Sequence, residues 1–153
     1  AGERGLPYSF ASHFAPRMLL EALQVYRRSF KPSAALDKPY VMLGLPVVAA
    51  DTDQQAQHLA TTSKQRVLAL LRGHALWLKP PVTSMDELWN EQEQAQVDNF
   101  LGLSVVGGPA TIKHKLEMII KELGVDEFIF TNDLYHSQDR HKALEILTTL
   151  KNS

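Results

Sequence analysis

The sequence predicts an α/β protein with a parallel sheet, built from repeated strand–helix units. Three apolar runs are typical of buried strands, and a helical pattern follows each of them: Leu6–Ser12, Tyr40–Ala50 and Glu127–Asn132. The segment Ser104–Leu123 combines a short strand, a Gly-Gly-Pro turn and an amphipathic helix, so with the last run it forms a βαβ unit. Such units place ligand sites at the carboxyl ends of their strands. The residues that follow each run are therefore the first candidates for function.

The composition is that of one ordinary globular domain, which we expect to span residues 1–153. Apolar residues make up 44% and charged residues 22%, and the net charge of −1 offers no field that would attract nucleic acid or an anionic membrane. The absence of cysteine excludes disulfides, thiolate catalysis and cysteine-based metal sites. No apolar stretch reaches the roughly 20 residues of a membrane span. We expect a soluble cytoplasmic protein without nucleic-acid or membrane partners.

The first residues resemble the end of a helix. Ala1–Arg4 forms its last turn, Gly5 is the glycine that ends it, and Leu6 leads into the first strand. A natural domain rarely begins inside the final turn of a helix. Two interpretations remain open: a trimmed or processed N-terminus, or the C-terminal piece of a longer protein.

The first helix and the second strand follow from local patterns. Pro16 suits a first helical position, and apolar residues then recur at helical spacing as far as Phe30. Tyr40–Ala50 is nearly continuously apolar, as expected of a strand covered on both faces. Gly44 and Pro46 interrupt this run. Because a central strand tolerates proline poorly, we predict a bulge or a bend there.

A long helix and an excursion come next. Thr52, with a glutamine three residues later, has the pattern of a capping box, and Gly73 ends the helix. Residues from about 75 to 103 are predicted to form an ordered helical excursion, whose helix is capped by Asn90. An excursion at this place, between a strand–helix pair and the next strand, is the kind of segment that covers a pocket.

The turn Gly107-Gly108 opens the next helix, which ends at Gly124. Backbone N–H groups at a helix start favour an anion or a carbonyl oxygen, so this turn is a candidate binding site. The alternative is that a strand-to-helix turn needs glycine only for its dihedral angles. The last strand and the closing helix, which begins at Ser137, complete the pattern.

Four side chains at strand ends are the candidate site residues: Ser12 and His13 after the first strand, and Thr131 and Asn132 at the end of the last. His13 is suited to donate a proton or to hydrogen-bond a ring ligand. The alternative is a half-buried histidine whose nitrogens bond nearby backbone.

A second group of polar residues suggests a metal site: His136 and His141, with Asp133 and Asp139. Its spacing does not place two histidines on one helix face, and Ser137 caps the helix between them. We therefore interpret this segment as a solvated helix start and predict no metal.

Four motifs, in order, resemble the bacterial luciferase-like flavin monooxygenases, and most of all their long-chain group similar to alkanal monooxygenase: GLPYSFASHFAP, YVMLGLPVVAADTDQQAQHLA, SVVGGPATIKHKL and DEFIFTNDLY. The resemblance covers almost the whole chain. It implies a TIM (β/α)8 barrel that is incomplete here. Leu6–Ser12, Tyr40–Ala50 and Glu127–Asn132 would be its last three strands, six, seven and eight, which makes the chain the C-terminal part.

The resemblance also implies an activity. Members oxidise a small organic, aldehyde-like substrate with O2 and reduced FMN, which a flavin reductase supplies. Ser12 and His13 would approach the flavin or the substrate, with His13 as the catalytic residue, and Thr131 and Asn132 would border the same pocket. Upstream segments hold the flavin phosphate in this family, so the fragment alone is expected to be inactive. The family usually has Ser or Thr where this chain has Gly108, which implies weaker helix capping.

Three strands of an eight-stranded barrel cannot close. Two sheet edges and inward-facing apolar residues would stay open, so we predict that the chain forms a homo-oligomer or associates with the missing N-terminal half. The alternative function is a non-catalytic half-barrel module, which acts by self-association or as a flavin-binding subunit.

Overall fold

The computed structural model describes residues 1–12 and 18–151. After a 3₁₀ turn at Gly2–Arg4, the elements are β1 Tyr8–Ala11, α1 Leu19–Ser29, β2 Val41–Ala49, α2 Asp53–Leu71, α3 Glu91–Phe100, β3 Val105–Gly107, α4 Pro109–Leu123, β4 Glu127–Thr131 and α5 Ser137–Lys151. The strand pairs are parallel, which confirms the predicted α/β class. Within the described ranges no helix is both long and apolar enough to cross a membrane.

Strand β2 is the centre of the sheet. Its Leu43 pairs with Phe10 of β1 on one side and with Phe128 of β4 on the other. The short strand β3 pairs with the end of β2, from Val47 to Ala49. Strands β1, β2 and β4 therefore form the main part of the sheet, and β3 extends it at the carboxyl end of β2.

No bulge interrupts the pairing of β2 with β4 at Pro46, which leaves a bend as the other predicted possibility. The β1 pairing ends at Gly44 and the β3 pairing begins at Val47, so Pro46 lies between two partners. The Gly44 carbonyl accepts from β1, and residues two apart on a strand face the same neighbour, so the nitrogen of Pro46 points away from β4. The missing N–H of Pro46 therefore leaves the pairing of β2 with β4 intact.

The two faces of the sheet differ sharply. We call one the covered face, since it packs against α1, α4 and α5 in the main hydrophobic cluster: Tyr8, Phe10, Val41, Leu43, Leu45, Phe128 and Phe130. The residues between them form the open face: Ser9, Ala11, Met42, Gly44, Pro46, Glu127, Ile129 and Thr131. Ile129 is 45% exposed there. Strand β2 is the most covered of the three: on this face its Gly44 and Val48 are buried, and Met42 and Pro46 are half-buried, whereas Ser9, Ala11 and Glu127 of the neighbouring strands are exposed.

The excursion contains α3, which begins after Asn90. Asn90 and Glu93 form a reciprocal capping box at the start of α3. Four buried residues join it to α2 in a second hydrophobic cluster: Val67, Leu68, Met85 and Val97. Trp89 packs against this cluster, whereas Trp77 is 77% exposed.

The predicted helix ends are confirmed where the structure describes them. The backbone of Gly5, Gly73 and Gly124 is left-handed, with φ of 62°, 68° and 59°. Thr52 accepts a hydrogen bond from the N–H of Gln55 at 3.2 Å, which is half of the predicted capping box. The prediction for Pro16 falls on residues 13–17, outside the described residues.

Candidate functional site

The carboxyl ends of β1, β2 and β4 lie side by side. The register places Ala11 beside Gly44, and Thr131 beside Pro46. With β2 between them, the ends of β1 and β4 are about 10 Å apart, which is two strand spacings. The structure thus brings Ser12 to the same edge of the sheet as Thr131 and Asn132.

The side chain of Ser12 forms a hydrogen bond within the sheet. Its side chain is 1% exposed, and its hydroxyl donates to the carbonyl of Gly44 at 2.5 Å. Its backbone N–H donates to the same oxygen at 3.1 Å. The hydroxyl proton is therefore used within the protein. The neighbouring candidate, His13, lies outside the described residues.

Asn132 carries an unused donor. Its Oδ1 accepts the N–H of Leu134 at 3.2 Å, which fixes the loop after β4. Its Nδ2 is buried and has no hydrogen-bond partner within the described part of the chain. A buried amide donor without a partner is uncommon in folded proteins. It is suited to a carbonyl oxygen of a bound ring or substrate.

A cavity of about 370 Å³ lies at this end of the sheet. We call it the carboxyl-end cavity. Its floor is the end of the open face, and α2 and the excursion form its walls, with these lining residues: Pro46, Val47, Ser63, Arg66, Val67, Leu70, Leu76, Phe100, Leu101, Thr131 and Asp133. Its volume lies in the range of small-molecule sites, which are mostly apolar with a few polar groups. The excursion does border a pocket, as its position in the sequence indicated.

One ion pair lies in the wall of this cavity. Nη1 of Arg66, on α2, contacts Oδ2 of Asp133, in the loop after β4. The sequence pattern groups Asp133 with the histidines of the next helix and gives no indication of Arg66. Ser63, Arg66 and Leu70 are spaced so that they share one helix face, but this spacing does not indicate that Arg66 meets a carboxylate 67 residues away.

The polar residues of α2 fix the excursion in place. Thr62 Oγ1 donates to the carbonyl of Lys79 at 2.9 Å, and Thr61 Oγ1 accepts the N–H of Val82 at 2.9 Å. Arg72 binds both carboxylate oxygens of Glu93, at 2.7 and 2.8 Å. The Arg72 guanidinium, with the Asn90 N–H, lowers the pKa of Glu93 to about 2. Periodicity alone did not distinguish these residues from ordinary polar helix positions.

The helix start at Gly108 is filled by the protein itself. Asp53 Oδ1 accepts the N–H of Gly108 at 2.7 Å, and Oδ2 accepts the hydroxyl of Thr111 at 2.9 Å. Both bonds, the backbone one first, lower the pKa of Asp53. An added Cβ at Gly107 would lie 2.6 Å from the Thr111 methyl. The glycines therefore serve the turn rather than an anion, and Asp53 supplies the cap that Gly108 lacks.

The polar group around His136 does not assemble. Asp133 pairs with Arg66, and the ring of His136 contacts Tyr135 edge-on at 4.9 Å between centroids. Across residues 1–12 and 18–151, no three His, Asp or Glu side chains are placed to hold a metal ion.

Comparison with known proteins gives relatives for the whole chain. No protein-family model matches it. It is 46% identical over 147 residues to the uncharacterized protein YvbT of Bacillus subtilis, covering 96% of this chain and 44% of that protein. It is 40% identical over 151 residues to a luciferase-like monooxygenase of Escherichia coli, covering 99% of this chain and 45% of that protein. The chain thus spans less than half the length of these relatives.

Solved structures share its fold. The apo-MsnO8 crystal structure matches with a TM-score of 0.78 at 23% identity, over 99% of this chain and 46% of that one. A riboflavin lyase, RcaE, crystallised with modified FMN and riboflavin, matches with a TM-score of 0.51 at 21% identity, over 99% and 40%. Together with the sequence relatives, these matches confirm the resemblance to a portion of the luciferase-like monooxygenases.

Proposed function

We propose that the chain is the carboxyl-terminal part of a flavin-dependent luciferase-like monooxygenase with a (β/α)8 barrel. In this proposal β1, β2 and β4 are strands six, seven and eight. The open face is the observation that carries it. A parallel sheet that packs one face in the main hydrophobic cluster and exposes an apolar residue such as Ile129 on the other resembles part of the wall of a closed barrel. The match to less than half of each relative supports the same reading.

Reduced FMN would lie against the carboxyl end of the open face. When bound, the flavin supplies the oxygen chemistry, in which one atom of O2 enters the substrate and the other leaves as water. The described residues are better suited to bind the flavin ring of FMN than to bind its phosphate group. Asn132 Nδ2 is an available donor, whereas the Ser12 hydroxyl is already bonded to Gly44. Arg66 is paired with Asp133, so we assign the phosphate to upstream segments.

His13 stays our candidate catalytic residue because it directly follows Ser12 in the sequence. We place the organic substrate in the carboxyl-end cavity, beside the ring. Its wall is mostly aliphatic and aromatic, with the hydroxyl of Thr131 and the Arg66–Asp133 pair as polar points. Such a lining suits an apolar molecule with one carbonyl group, as in an aldehyde.

A chimera tests the proposal. The chain is joined behind the part of the E. coli relative that it does not match, and FMN is titrated while its fluorescence quenching is followed. We expect micromolar or tighter FMN binding by the chimera and none by the chain alone. Asn132→Leu in the chimera should weaken binding by about tenfold, the value of one lost buried hydrogen bond. Tight FMN binding by the chain alone, or a folded chimera without binding, would contradict the proposal.

The open face also predicts self-association of the chain. Ile129→Lys puts a charge on that face and should abolish the association seen in sedimentation velocity. Ile120→Lys is a matched control, since Ile120 on α4 has the same 45% exposure but lies outside the sheet. Sedimentation of the wild-type chain as a monodisperse monomer at all concentrations would contradict this prediction. Association without FMN binding in the chimera would favour the non-catalytic module instead.

A further inference from the structure

The carboxyl-end cavity contains one charged pair in a largely apolar wall. Arg66 approaches it from the middle of α2, and Asp133 approaches from the loop after β4. The side chains are 39% and 35% exposed, so neither is fully desolvated. These two residues join separate walls of the cavity, and a ligand in the cavity would lie beside both.

Arg66 has donors to spare. A guanidinium carries five N–H groups in one plane, and Arg66 contacts Asp133 through Nη1. The contact fixes the plane of the group. Other N–H groups of a guanidinium held in this way remain available to an acceptor in the cavity.

The charge of the pair decides which acceptor fits. The positive charge of Arg66 and the negative charge of Asp133 cancel, so the pair presents no net positive charge to an anion in the cavity. A carboxylate placed near Arg66 would also be repelled by the carboxylate of Asp133. An uncharged carbonyl oxygen accepts one N–H and meets no such repulsion.

We propose that Arg66 is a specificity-determining residue, which donates a hydrogen bond to an uncharged carbonyl oxygen of the substrate. Asp133 holds Arg66 in place and excludes anionic analogues. This inference rests on the proposed function only in placing the substrate in the carboxyl-end cavity. The cavity itself is formed by residues of this chain, so its test needs neither flavin nor the upstream strands.

Two ten-carbon probes test the inference by calorimetric titration of the purified chain at neutral pH: 2-decanone, which is uncharged, and decanoate, which is an anion. The wild-type chain should bind 2-decanone more tightly than decanoate. Arg66→Met should weaken 2-decanone binding by about ten- to a hundredfold, as expected for one hydrogen bond to a charged donor. Arg66→Lys, which keeps a donor, should retain part of the affinity.

Asp133→Asn gives the diagnostic result. It leaves the charge of Arg66 uncompensated, so the preference should shift toward decanoate by at least about tenfold. A merely structural role of the pair would lower both affinities together and leave their ratio unchanged.

Arg72→Met is the matched control. Arg72 directly follows α2 as its C-cap residue, has the same 39% side-chain exposure and pairs with Glu93, but it does not line the cavity. Its substitution should leave the ratio of the two affinities unchanged. The inference is overturned if Arg66→Met and Arg72→Met act alike, if Asp133→Asn leaves the ratio unaltered, or if the folded wild-type chain binds neither probe. Because FMN is absent, these outcomes are independent of the chimera experiment.

Discussion

The sheet layer and the excursion layer of this protein are held together in different ways. The sheet layer consists of β1, β2 and β4 with α1, α4 and α5, and its covered face is buried in one large apolar cluster. The excursion layer, residues 73–104 with the second half of α2, has four buried apolar residues and depends on polar bonds from α2. Helix α2 belongs to both, because its first half packs in the main cluster.

The difference indicates where the molecule opens first. Burial of large apolar side chains contributes several times more free energy per residue than a single hydrogen bond does. The excursion layer should therefore open locally while the sheet stays folded. This layer also walls the carboxyl-end cavity, so local opening would admit a ligand.

The largest effect is expected in the covered face. Leu43 is fully buried at the centre of β2, and Leu43→Ala should lower the free energy of unfolding by about 2–5 kcal/mol, measured by urea denaturation. Amide exchange should accelerate in β2 and stay unchanged in α3, whose opening keeps the Leu43 contacts. Leu144→Ala, at a position 56% exposed, is the control and should change stability by less than about 0.5 kcal/mol.

A smaller effect is expected in the second cluster. Val97 is fully buried, and Val97→Ala removes two methyl groups at a cost of about 1–3 kcal/mol. The amides of α3 should then exchange about ten- to a hundredfold faster. Equal protection of α3 and β2 amides in the wild-type chain would show that the two layers open together, contrary to this comparison.

The next largest effect is expected for a single hydrogen bond that joins the excursion to α2. Thr62 is 1% exposed, and Thr62→Val keeps its shape while leaving the Lys79 carbonyl without its donor. We expect a loss of about 0.5–1.5 kcal/mol in the opening free energy of the excursion, seen as faster amide exchange there. Thr149→Val removes an exposed hydroxyl that bonds its own helix, and it should have almost no effect.

The smallest effect depends on pH. The folded-state pKa of Glu93 is about 2, below its usual 4.5, so its stabilising contribution is complete above pH 4.5 and is lost as the pH falls toward 2. Glu93→Gln should lower the urea midpoint slightly at pH 7, and the deficit should vanish near pH 2. A deficit independent of pH would mean that the Arg72–Glu93 pair does not stabilise the excursion.

Much of the framework followed from local patterns. Strand and helix positions, the parallel α/β class and the glycine helix ends at Gly5 and Gly124 are confirmed, because each depends on neighbours within a few residues. The edge of the sheet that joins Ser12 to Thr131 and Asn132 was also predictable, since parallel strands end at one side. Their roles toward a flavin, and that of His13, stay predictions.

Other features depend on contacts between distant parts of the chain. A continuous apolar run such as β2 does not reveal whether one face or both are covered, and that was decided by which helices pack on the sheet. The pairing of Arg66 with Asp133, 67 residues apart, has no local signature. The same holds for Asp53, which caps a helix 55 residues away at Gly108.

The sequence by itself determined the elements, their order and the family to which the chain is similar. Only the tertiary structure decided that Gly107 and Gly108 receive the chain's own carboxylate, that one face of the sheet stays open and that the excursion walls a cavity. The physical reason is the distance along the chain over which each effect acts. Backbone propensity and periodicity depend on residues within one or two helical turns. The other features depend on hydrogen bonds and apolar contacts between segments that are far apart in sequence.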